Sequence, residues 1–425
     1  DNAICDYLAF GYNLDEATTS FRDIKRIPPG NSLTVTRESQ PKFSGYRQFT
    51  TSNHIRYRQE SEYSDHFLDL FSRAVDDRLR TDRVSFELSG GMDSTSVTML
   101  AVHLNRNNDR FSGLGITTDS SHIFPETEEA KFARMVADEA RIGHALIEAG
   151  KEEDFYAFCS TAQPYAWPFA ATTQKYARTA RQQANVLIGG QFGDVLFQGS
   201  GMQVRDEFRE MSLAGFLINR LRAVADKKSL RALGIRSLVE KDRPLLQLPS
   251  IPDWIRADVL EKSGSKERWR ELFYGSDRYP ASCHAEMTFD EMRLPFWSHL
   301  FESYYHDLLC GIDCRQPFMD LRLLEFSFSI PASIKLSKKI LRQAMSELLP
   351  SPVLERPKTN VSQDMVFKIL SNSAVRKRLP QNLARSSPWV HEKKYLEALQ
   401  NYARTGQENP FTILCPLGME RWNCN

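Results

Sequence analysis

The residues best suited to chemistry in this chain form a glycine-rich turn, Ser-Gly-Gly-Met-Asp-Ser, at positions 89–94. A short alternating segment at 84–88 precedes the turn, and a helical pattern at 95–102 follows it. Glycines let backbone N–H groups approach phosphate oxygens, and the first turn of a helix carries partial positive charge. We therefore expect this turn to bind the phosphates of a nucleotide. The alternative interpretation is a surface turn that only caps a helix.

A second glycine-rich turn, Gly-Gly-Gln-Phe-Gly-Asp at 189–194, follows another predicted strand at 186–188. Parallel strands end at the same edge of a sheet, so the two turns should bring the carboxylates of Asp93 and Asp194 close together. Carboxylate and phosphate oxygens are the ligands that Mg²⁺ prefers, and the pair therefore predicts a magnesium site. Taken alone, Asp194 would equally suit the cap of the next helix.

The elements that must position these turns are strands alternating with helices, which predicts an α/β fold with a parallel sheet covered on both faces. A further strand is predicted near the start of the chain, after the turn at 28–30, and the pattern beyond about residue 205 is helical without strand candidates of comparable strength. The predicted strands of the sheet are 84–88, 111–117, 145–148 and 186–188, and the predicted helices between them are 126–139 and 172–185.

The composition is that of an ordinary soluble enzyme of two or three domains, with 26% charged and 41% hydrophobic residues in 425. The net charge of +1 argues against a nucleic-acid partner held by phosphate contacts. The sequence contains no run of about 18 apolar residues, which a membrane-spanning helix would need. Seven scattered cysteines suit reduced thiols. We therefore expect a cytoplasmic protein with neither a nucleic-acid nor a membrane partner.

Several segments resemble, in order, the synthetase domain of asparagine synthetases, whose fold is of the ATP-pyrophosphatase (adenine nucleotide alpha hydrolase-like) type. The two glycine-rich turns resemble its pyrophosphate loop and its S-G-E-G-x-D-E-x-F loop. Residues 311–323 resemble its E-x-R-x-P-F-L-D-x-R-L pattern, and residues 339–345 resemble its K-x-x-L-R-x-A-M pattern. Residues 356–358 resemble its R-x-K pattern, and residues 7–47 resemble the tail of the preceding amidotransferase domain. The resemblance predicts an amidotransferase-like remnant at 1–55, an ATP-pyrophosphatase core at 56–210 and a mainly helical part at 211–425.

The resemblance also implies the reaction and the residues that perform it. A carboxylate is joined to AMP at the expense of ATP, pyrophosphate leaves, and an amine then displaces AMP to form an amide. Lys358 is the implied catalytic cation, with Arg342 nearby, since a fixed positive charge stabilises the charge that develops on the α-phosphate. Implied nucleotide contacts are Leu88, Ser89, Gly90, Gly91, Asp93, Ser94, Gly115 and Gly190, of which Leu88 and Gly115 would border the adenine. The implied Mg²⁺ ligands are Asp93 and Asp194.

The chain departs from this family where the amine should bind. Gln191 stands in place of the family's glutamate, and an amide cannot act as a base. Phe192 replaces a small residue, and no nucleophilic cysteine opens the chain, so we expect this chain alone not to hydrolyse glutamine. These features resemble the branch of lasso-peptide macrolactam cyclases.

That branch implies that an acidic side chain of a precursor peptide is adenylated and that the peptide's own amine attacks. It also implies a partner that binds or removes a leader segment. An asparagine synthetase acting on aspartate, with ammonia or glutamine as the nitrogen source, is the alternative within the family. A further alternative is another amide-forming enzyme that acts on a different small carboxylate. The alternative of another class is a non-catalytic scaffold that retains the fold.

Overall fold

The structure is a computed structural model that describes most of the chain. The described residues are 2–37, 40–45, 51, 54–124, 127–151, 153, 155, 164, 170–197, 203–227, 248–274, 283–300, 311–356, 362–377, 379, 382–407 and 409–422. Among their helices, none combines the length and the apolar character that crossing a membrane requires.

A parallel five-stranded sheet holds the two glycine-rich turns, in the strand order β5-β4-β3-β6-β7. The strands are β1 (Asn31–Thr34), β2 (Lys42–Gly45), β3 (Arg83–Glu87), β4 (Ser112–Asp119), β5 (Gly143–Glu148), β6 (Val186–Ile188) and β7 (Asp313–Arg315). The first two strands form a separate antiparallel pair. The predicted α/β fold with a parallel sheet is confirmed, and each predicted strand of the sheet lies within two residues of its observed bounds.

The fifth strand, β7, corrects the expectation that no strand follows residue 205. Its Asp-Cys-Arg sequence has neither an apolar run nor an alternating pattern, so nothing local marks it as a strand. It is extended because β6 pairs with it, with Val186 opposite Asp313 and Ile188 opposite Arg315. The pairing continues into the second turn, where the Gly189 N–H donates to the Arg315 carbonyl at 3.0 Å.

Helices cover both faces of the sheet. Apolar residues of α2, α3, α13 and α15 share one core with Val84 and Phe86 of β3. Tyr176 and Ala180 of α5 pack on the opposite face, against Leu187. The described helices are α1 (Asn2–Phe10), α2 (Glu60–Leu79), α3 (Met92–Leu104), α4 (Glu129–Ala140), α5 (Ala170–Gln183), α6 (Gly193–Phe197), α7 (Gln203–Glu210), α8 (Leu213–Lys227), α9 (Ala257–Ser263), α10 (Ser265–Tyr274), α11 (His284–Met292), α12 (Pro295–Leu300), α13 (Leu321–Ser329), α14 (Ala332–Lys335), α15 (Lys339–Ala344), α16 (Ser351–Glu355), α17 (Ser362–Ser371), α18 (Ser373–Arg376), α19 (Glu392–Thr405), α20 (Pro410–Ile413) and α21 (Cys415–Arg421), with 3-10 helices at Pro317–Met319 and Leu336–Lys338.

The first helix, α1, packs into a core built mainly by the last third of the chain. Its Asp6 is fully buried and pairs with the Arg268 guanidinium at 2.6 Å, while the Ser265 hydroxyl donates to the same carboxylate at 2.6 Å. A buried charge needs such partners, because removing it from water is costly. The start of the chain is thus fixed to α10. Its descent from an amidotransferase domain and the domain boundaries stay predictions.

Candidate active site

The turn after β3 is closed by its own serines. The Ser89 N–H donates to the Ser94 hydroxyl oxygen at 3.2 Å, and the two hydroxyl groups lie 3.0 Å apart. Gly90 has a φ of +67°, and a Cβ there would lie 2.6 Å from the Cβ of Phe132. Only glycine meets both demands. The turn leads directly into α3, whose first residue is Met92, so a helix N-terminus faces the expected phosphate position.

The second turn packs directly on the first. A Cβ on Gly190 would lie 2.6 Å from the backbone nitrogen of Ser94, and a Cβ on Gly193 would lie 2.4 Å from Cγ of Asp93. Both glycines are therefore required for the close approach of the two loops. The prediction that neighbouring strand ends bring these turns together is confirmed by this contact.

Lys338 joins the two predicted magnesium ligands. Its Nζ lies 2.6 Å from Oδ2 of Asp93 and 2.5 Å from Oδ1 of Asp194, and only 11% of its side chain is exposed. Asp194 lies in the first turn of α6, so it is not the cap of that helix. The two carboxylates thus lie close together, as predicted, and a lysine 144 to 245 residues away in sequence holds them there.

Sequence reasoning missed Lys338, although a signal was present. The K-x-x-L-R pattern, counted back from Leu341, begins at Lys338 and not at Lys339, where the resembling segment was placed. Lys338 also has a left-handed backbone with a φ of 59°, at the turn that leads into α15. Lys339 instead pairs with Glu60 of α2 at 2.5 Å. The pattern's lysine therefore belongs to the site, and its neighbour belongs to the surface.

The residues present fit a Mg²⁺ ion. Two carboxylates that share one ammonium group are close enough to share one divalent cation, and carboxylate oxygens are suitable ligands. Asp194 keeps 43% of its side chain exposed, which leaves the pair accessible. The described residues contain no cluster of three or more metal-binding side chains. A Mg²⁺ ion here would therefore depend on phosphate and water oxygens for its other ligands.

Two arginines connect the Lys338 turn to the phosphate loop. Arg342 donates from Nε to the Ser337 carbonyl at 3.1 Å and from Nη2 to the Arg356 carbonyl at 3.2 Å. Arg356 in turn donates to the Gly90 carbonyl at 2.9 Å. In this arrangement Arg342 is placed to position neighbouring backbone; the catalytic role implied for it stays a prediction. Lys358 lies outside the described residues, so its role also stays a prediction.

The predicted adenine contacts lie together beside the phosphate loop. The Leu88 N–H donates to the Ile116 carbonyl at 2.9 Å, and a Cβ on Gly115 would lie 2.7 Å from Cδ2 of Leu88. The Thr117 hydroxyl donates to the Leu88 carbonyl and lies 2.9 Å from Nε2 of His144. Burial lowers the pKa of His144, which favours its neutral form. These contacts fix the backbone of Leu88; adenine binding at this place stays a prediction.

A polar network supports the second loop from below. Gln316 accepts the Gln191 N–H on Oε1 at 3.1 Å, and its Nε2 donates to Oε2 of Glu87 at 3.4 Å. Burial raises the pKa of Glu87 to about 7. Sequence reasoning missed Glu87. The available signal was a carboxylate between the apolar residues Phe86 and Leu88, two residues before the phosphate loop begins.

Phe192 occupies a backbone position that favours glycine. Its φ is +73°, a left-handed conformation that costs a bulky side chain of order 1 kcal/mol or more. Its buried ring offsets this strain by packing on Trp297 of α12, with ring centroids 4.4 Å apart. An aromatic contact therefore holds the loop in a shape that the family's S-G-E-G pattern reaches with glycine.

The later part of the 311–323 segment, from Asp320 onwards, has a structural role away from the two loops. Asp320 caps α13 by accepting the Arg322 N–H at 3.0 Å, and it accepts a further hydrogen bond from Arg78 of α2 at 2.8 Å. Burial alone would raise the pKa of Asp320, but hydrogen bonds from Arg322 and Arg78 lower it to about 2. This part of the resembling segment fastens α13 to α2.

Comparison with known proteins supports the resemblance to asparagine synthetases. The family model for asparagine synthase matches residues 66–423. Provisionally named glutamine-hydrolysing asparagine synthetases of Mycobacterium bovis and Mycobacterium tuberculosis are 24% identical over 413 residues. The matched region covers 84% of this chain and 57% of those proteins, so the chain spans little more than half the length of these curated relatives.

A solved structure, that of NMN synthetase from Francisella tularensis, is 14% identical and covers 56% of this chain and 94% of that chain, with a TM-score of 0.22. Nothing about this chain follows from so low a score. The family match is different, because it extends from α2 to the end of α21 and includes both loops and Lys338. The chain belongs to the asparagine synthase family, whose members are ligases that form carbon–nitrogen bonds with release of AMP.

Proposed function

We propose that this protein closes a lactam ring in a precursor peptide, using ATP and Mg²⁺. In this reaction an acidic side chain of the peptide is adenylated, pyrophosphate is released, and the peptide's own amine displaces AMP. The observation that carries the proposal is the second loop, where Gln191 and Phe192 stand in place of a glutamate and a glycine. A site for free ammonia needs neither an amide nor a large ring at these positions.

The first half of the reaction falls to the phosphate loop and its neighbours. Backbone N–H groups between Ser89 and Ser94, with the start of α3, would hold the pyrophosphate part of ATP. Lys338 would neutralise charge there, since a buried, fixed cation stabilises developing negative charge. Asp93 and Asp194 would hold Mg²⁺, which when bound supplies positive charge to the phosphate oxygens.

The second half depends on proximity. A tethered amine and an activated carboxylate held in one pocket react as parts of one molecule. In well-oriented intramolecular reactions the barrier falls by about 7–11 kcal/mol, because the translational and rotational entropy is lost before the transition state is reached. The ring of Phe192, fixed on Trp297, is placed to exclude water from the loop, which would protect the acyl adenylate from hydrolysis. A leader-binding or leader-removing partner and a cytoplasmic location remain part of this proposal.

A second candidate is asparagine formation from aspartate and ammonia, which the names of the mycobacterial relatives favour. The two candidates differ in their acyl acceptor and in their carboxylate. Retention of both carboxylates and of Lys338 at one point argues against the non-catalytic scaffold, because a scaffold has no need of that charge arrangement.

The deciding experiment measures AMP and pyrophosphate release from ATP with two sets of substrates. One set is free aspartate with ammonium; the other is synthetic peptides that carry a free N-terminal amine and an acidic side chain at varied distance from it. We expect AMP release and loss of one water mass, 18 Da, with a subset of the peptides. Turnover with aspartate and ammonium alone would overturn the cyclase proposal. Aspartate without ATP, and the Asp93→Asn variant with every substrate, serve as controls.

A further inference from the structure

Glu87 ends β3 at the edge of the sheet from which both glycine-rich loops start. Alternate residues of a strand face opposite sides of a sheet. Ser85, two residues earlier, donates to the Ala180 carbonyl of α5 at 3.0 Å, so Glu87 also faces the α5 side. A Cβ on Gly189 would lie 1.9 Å from Oε2 of Glu87. The carboxyl group therefore lies directly against the first residue of the second loop.

Within the described residues, the Glu87 carboxylate has no cationic partner. Its one hydrogen-bond donor there is Nε2 of Gln316, at 3.4 Å. By contrast, Asp93 and Asp194 share the Lys338 ammonium group. Glu87 is thus a carboxylate at the site that is not committed to a metal or an ion pair.

Burial, and not a neighbouring charge, is the main influence on the pKa of Glu87. Cys314 of β7 has its pKa raised to about 12, first by burial and then by the negative charges of Glu87 and Asp313, so the thiol stays neutral. Asp313 pairs with Arg315 at 2.6 Å. From α5, the Tyr176 hydroxyl donates to a backbone carbonyl of β4 at 3.4 Å. No charged group among these neighbours stabilises the ionised form of Glu87.

We propose that Glu87 accepts the proton that the attacking amine loses when the amide bond forms, an inference that rests on the proposed function. The amine nitrogen bonds to the carbonyl carbon of the acyl adenylate. The bond from that carbon to the phosphate oxygen breaks, and AMP leaves with the electron pair. One N–H proton passes to the Glu87 carboxylate. The Gln191 amide cannot take this proton, whereas Glu87 carries a carboxylate that Gln316 links to the same loop.

Two features of the site suit Glu87 to this task. A general base works best when its pKa is close to the operating pH, and burial places that of Glu87 at about 7. Gln316 binds both Glu87 and the backbone of Gln191, so the base and the acceptor loop are held as one unit. The same hydrogen bond limits how far the carboxylate can move from the loop.

The test compares Glu87→Gln with wild type in the two halves of the reaction. Adenylate formation is measured with the synthetic peptides as pyrophosphate release and as hydroxamate formed with hydroxylamine, a small nucleophile that is mostly unprotonated at neutral pH. Amide formation is measured by mass between pH 5.5 and 8.5. We expect adenylate formation within a few-fold of wild type and amide formation reduced by about 100-fold or more. The wild-type rate should rise as pH increases through about 7, and the variant should lack this rise.

The matched control is Glu16→Gln, which removes another carboxyl whose pKa burial raises, far along the chain from the loops. It should leave both half-reactions and the pH profile unchanged. Normal amide formation in Glu87→Gln would overturn the inference, and so would an equal loss in both halves, which would make Glu87 a support for the loop. Absence of pyrophosphate release by wild type with every peptide would instead refute the proposed function.

A second measurement remains useful if Glu87→Gln is poorly folded or inactive. Glu87→Asp keeps a carboxylate but retracts it by one methylene, so amide formation should fall less than in Glu87→Gln and keep its pH dependence. Because the folded pKa of Glu87 is raised, ionisation opposes folding. Wild type should therefore lose stability relative to Glu87→Gln as pH rises from about 4.5 to about 7. A stability difference that does not change with pH would contradict the titration that the inference requires.

Discussion

Replacing Gly193 by alanine should disable the site with little effect on the fold. The added methyl group would lie 2.4 Å from Cγ of Asp93 and within 2.8 Å of both carboxylate oxygens. Ordinary contacts begin near 3.4 Å, so the carboxylate must move by about 1 Å, a displacement that can cost about 100-fold in rate. Gly193 begins α6, and alanine is a better helix former than glycine by about 1 kcal/mol, so backbone propensity gives no reason for unfolding.

The assay measures ATP affinity by calorimetry with and without Mg²⁺, together with pyrophosphate release. We expect Gly193→Ala to lose the Mg²⁺-dependent part of the affinity and about 100-fold in rate, with a melting temperature near that of wild type. Gly45→Ala in β2 is the matched control, because the nearest atom to its added methyl group is 3.9 Å away. If Gly193→Ala keeps wild-type Mg²⁺-ATP affinity and rate, then Asp93 is not held where the reaction needs it, and the site assignment is wrong.

Three further substitutions test the charges and the packing around the loops. Lys338→Met leaves two carboxylates without their shared ammonium, so urea unfolding should show a loss of about 2 kcal/mol, and Mg²⁺ should restore part of it; a loss that Mg²⁺ does not alter would argue against a shared cation site. Phe192→Gly removes backbone strain but also the ring contact with Trp297, and we expect a net loss of about 2–3 kcal/mol in thermal unfolding; a more stable variant would mean that strain outweighs packing. Asp320→Asn removes a carboxylate whose lowered pKa stabilises the fold above about pH 4, a contribution lost as pH falls towards 2. In acid titration the unfolding free energy of the variant should therefore change less than that of wild type between about pH 4 and pH 2. Equal changes in the two proteins would mean that the ionised Asp320 does not stabilise the fold.

The loops were predictable from sequence because their determinants are local. A strand, a glycine-rich turn and a helix in immediate succession leave few conformations for the residues between Ser89 and Ser94. The meeting of Asp93 and Asp194 followed from a general rule, since parallel strands end at one edge. Such features need no knowledge of distant residues.

The remaining parts of the site depend on distant contacts and could not be read in the same way. β7 has no strand pattern of its own and is extended only because β6 lies beside it. Lys338 lies in a left-handed turn 245 residues after Asp93, and although the K-x-x-L-R spacing marks it, that spacing does not show which side chains it meets. Glu87 was missed for another reason: a single carboxylate at the end of a short strand does not show by itself what lies against it.

The late position of β7 in the chain has a consequence for how the protein is made. During synthesis, β6 leaves the ribosome about 125 residues before β7. Until β7 is made, β6 is therefore an unpaired edge strand, and it is the strand that leads into the second loop. Unpaired edges favour association with other chains, and contacts between residues far apart in sequence form slowly. The incomplete chain is therefore the form most exposed to aggregation. A fragment ending before residue 313 should be insoluble when expressed alone, and adding the missing part as a separate chain should rescue it.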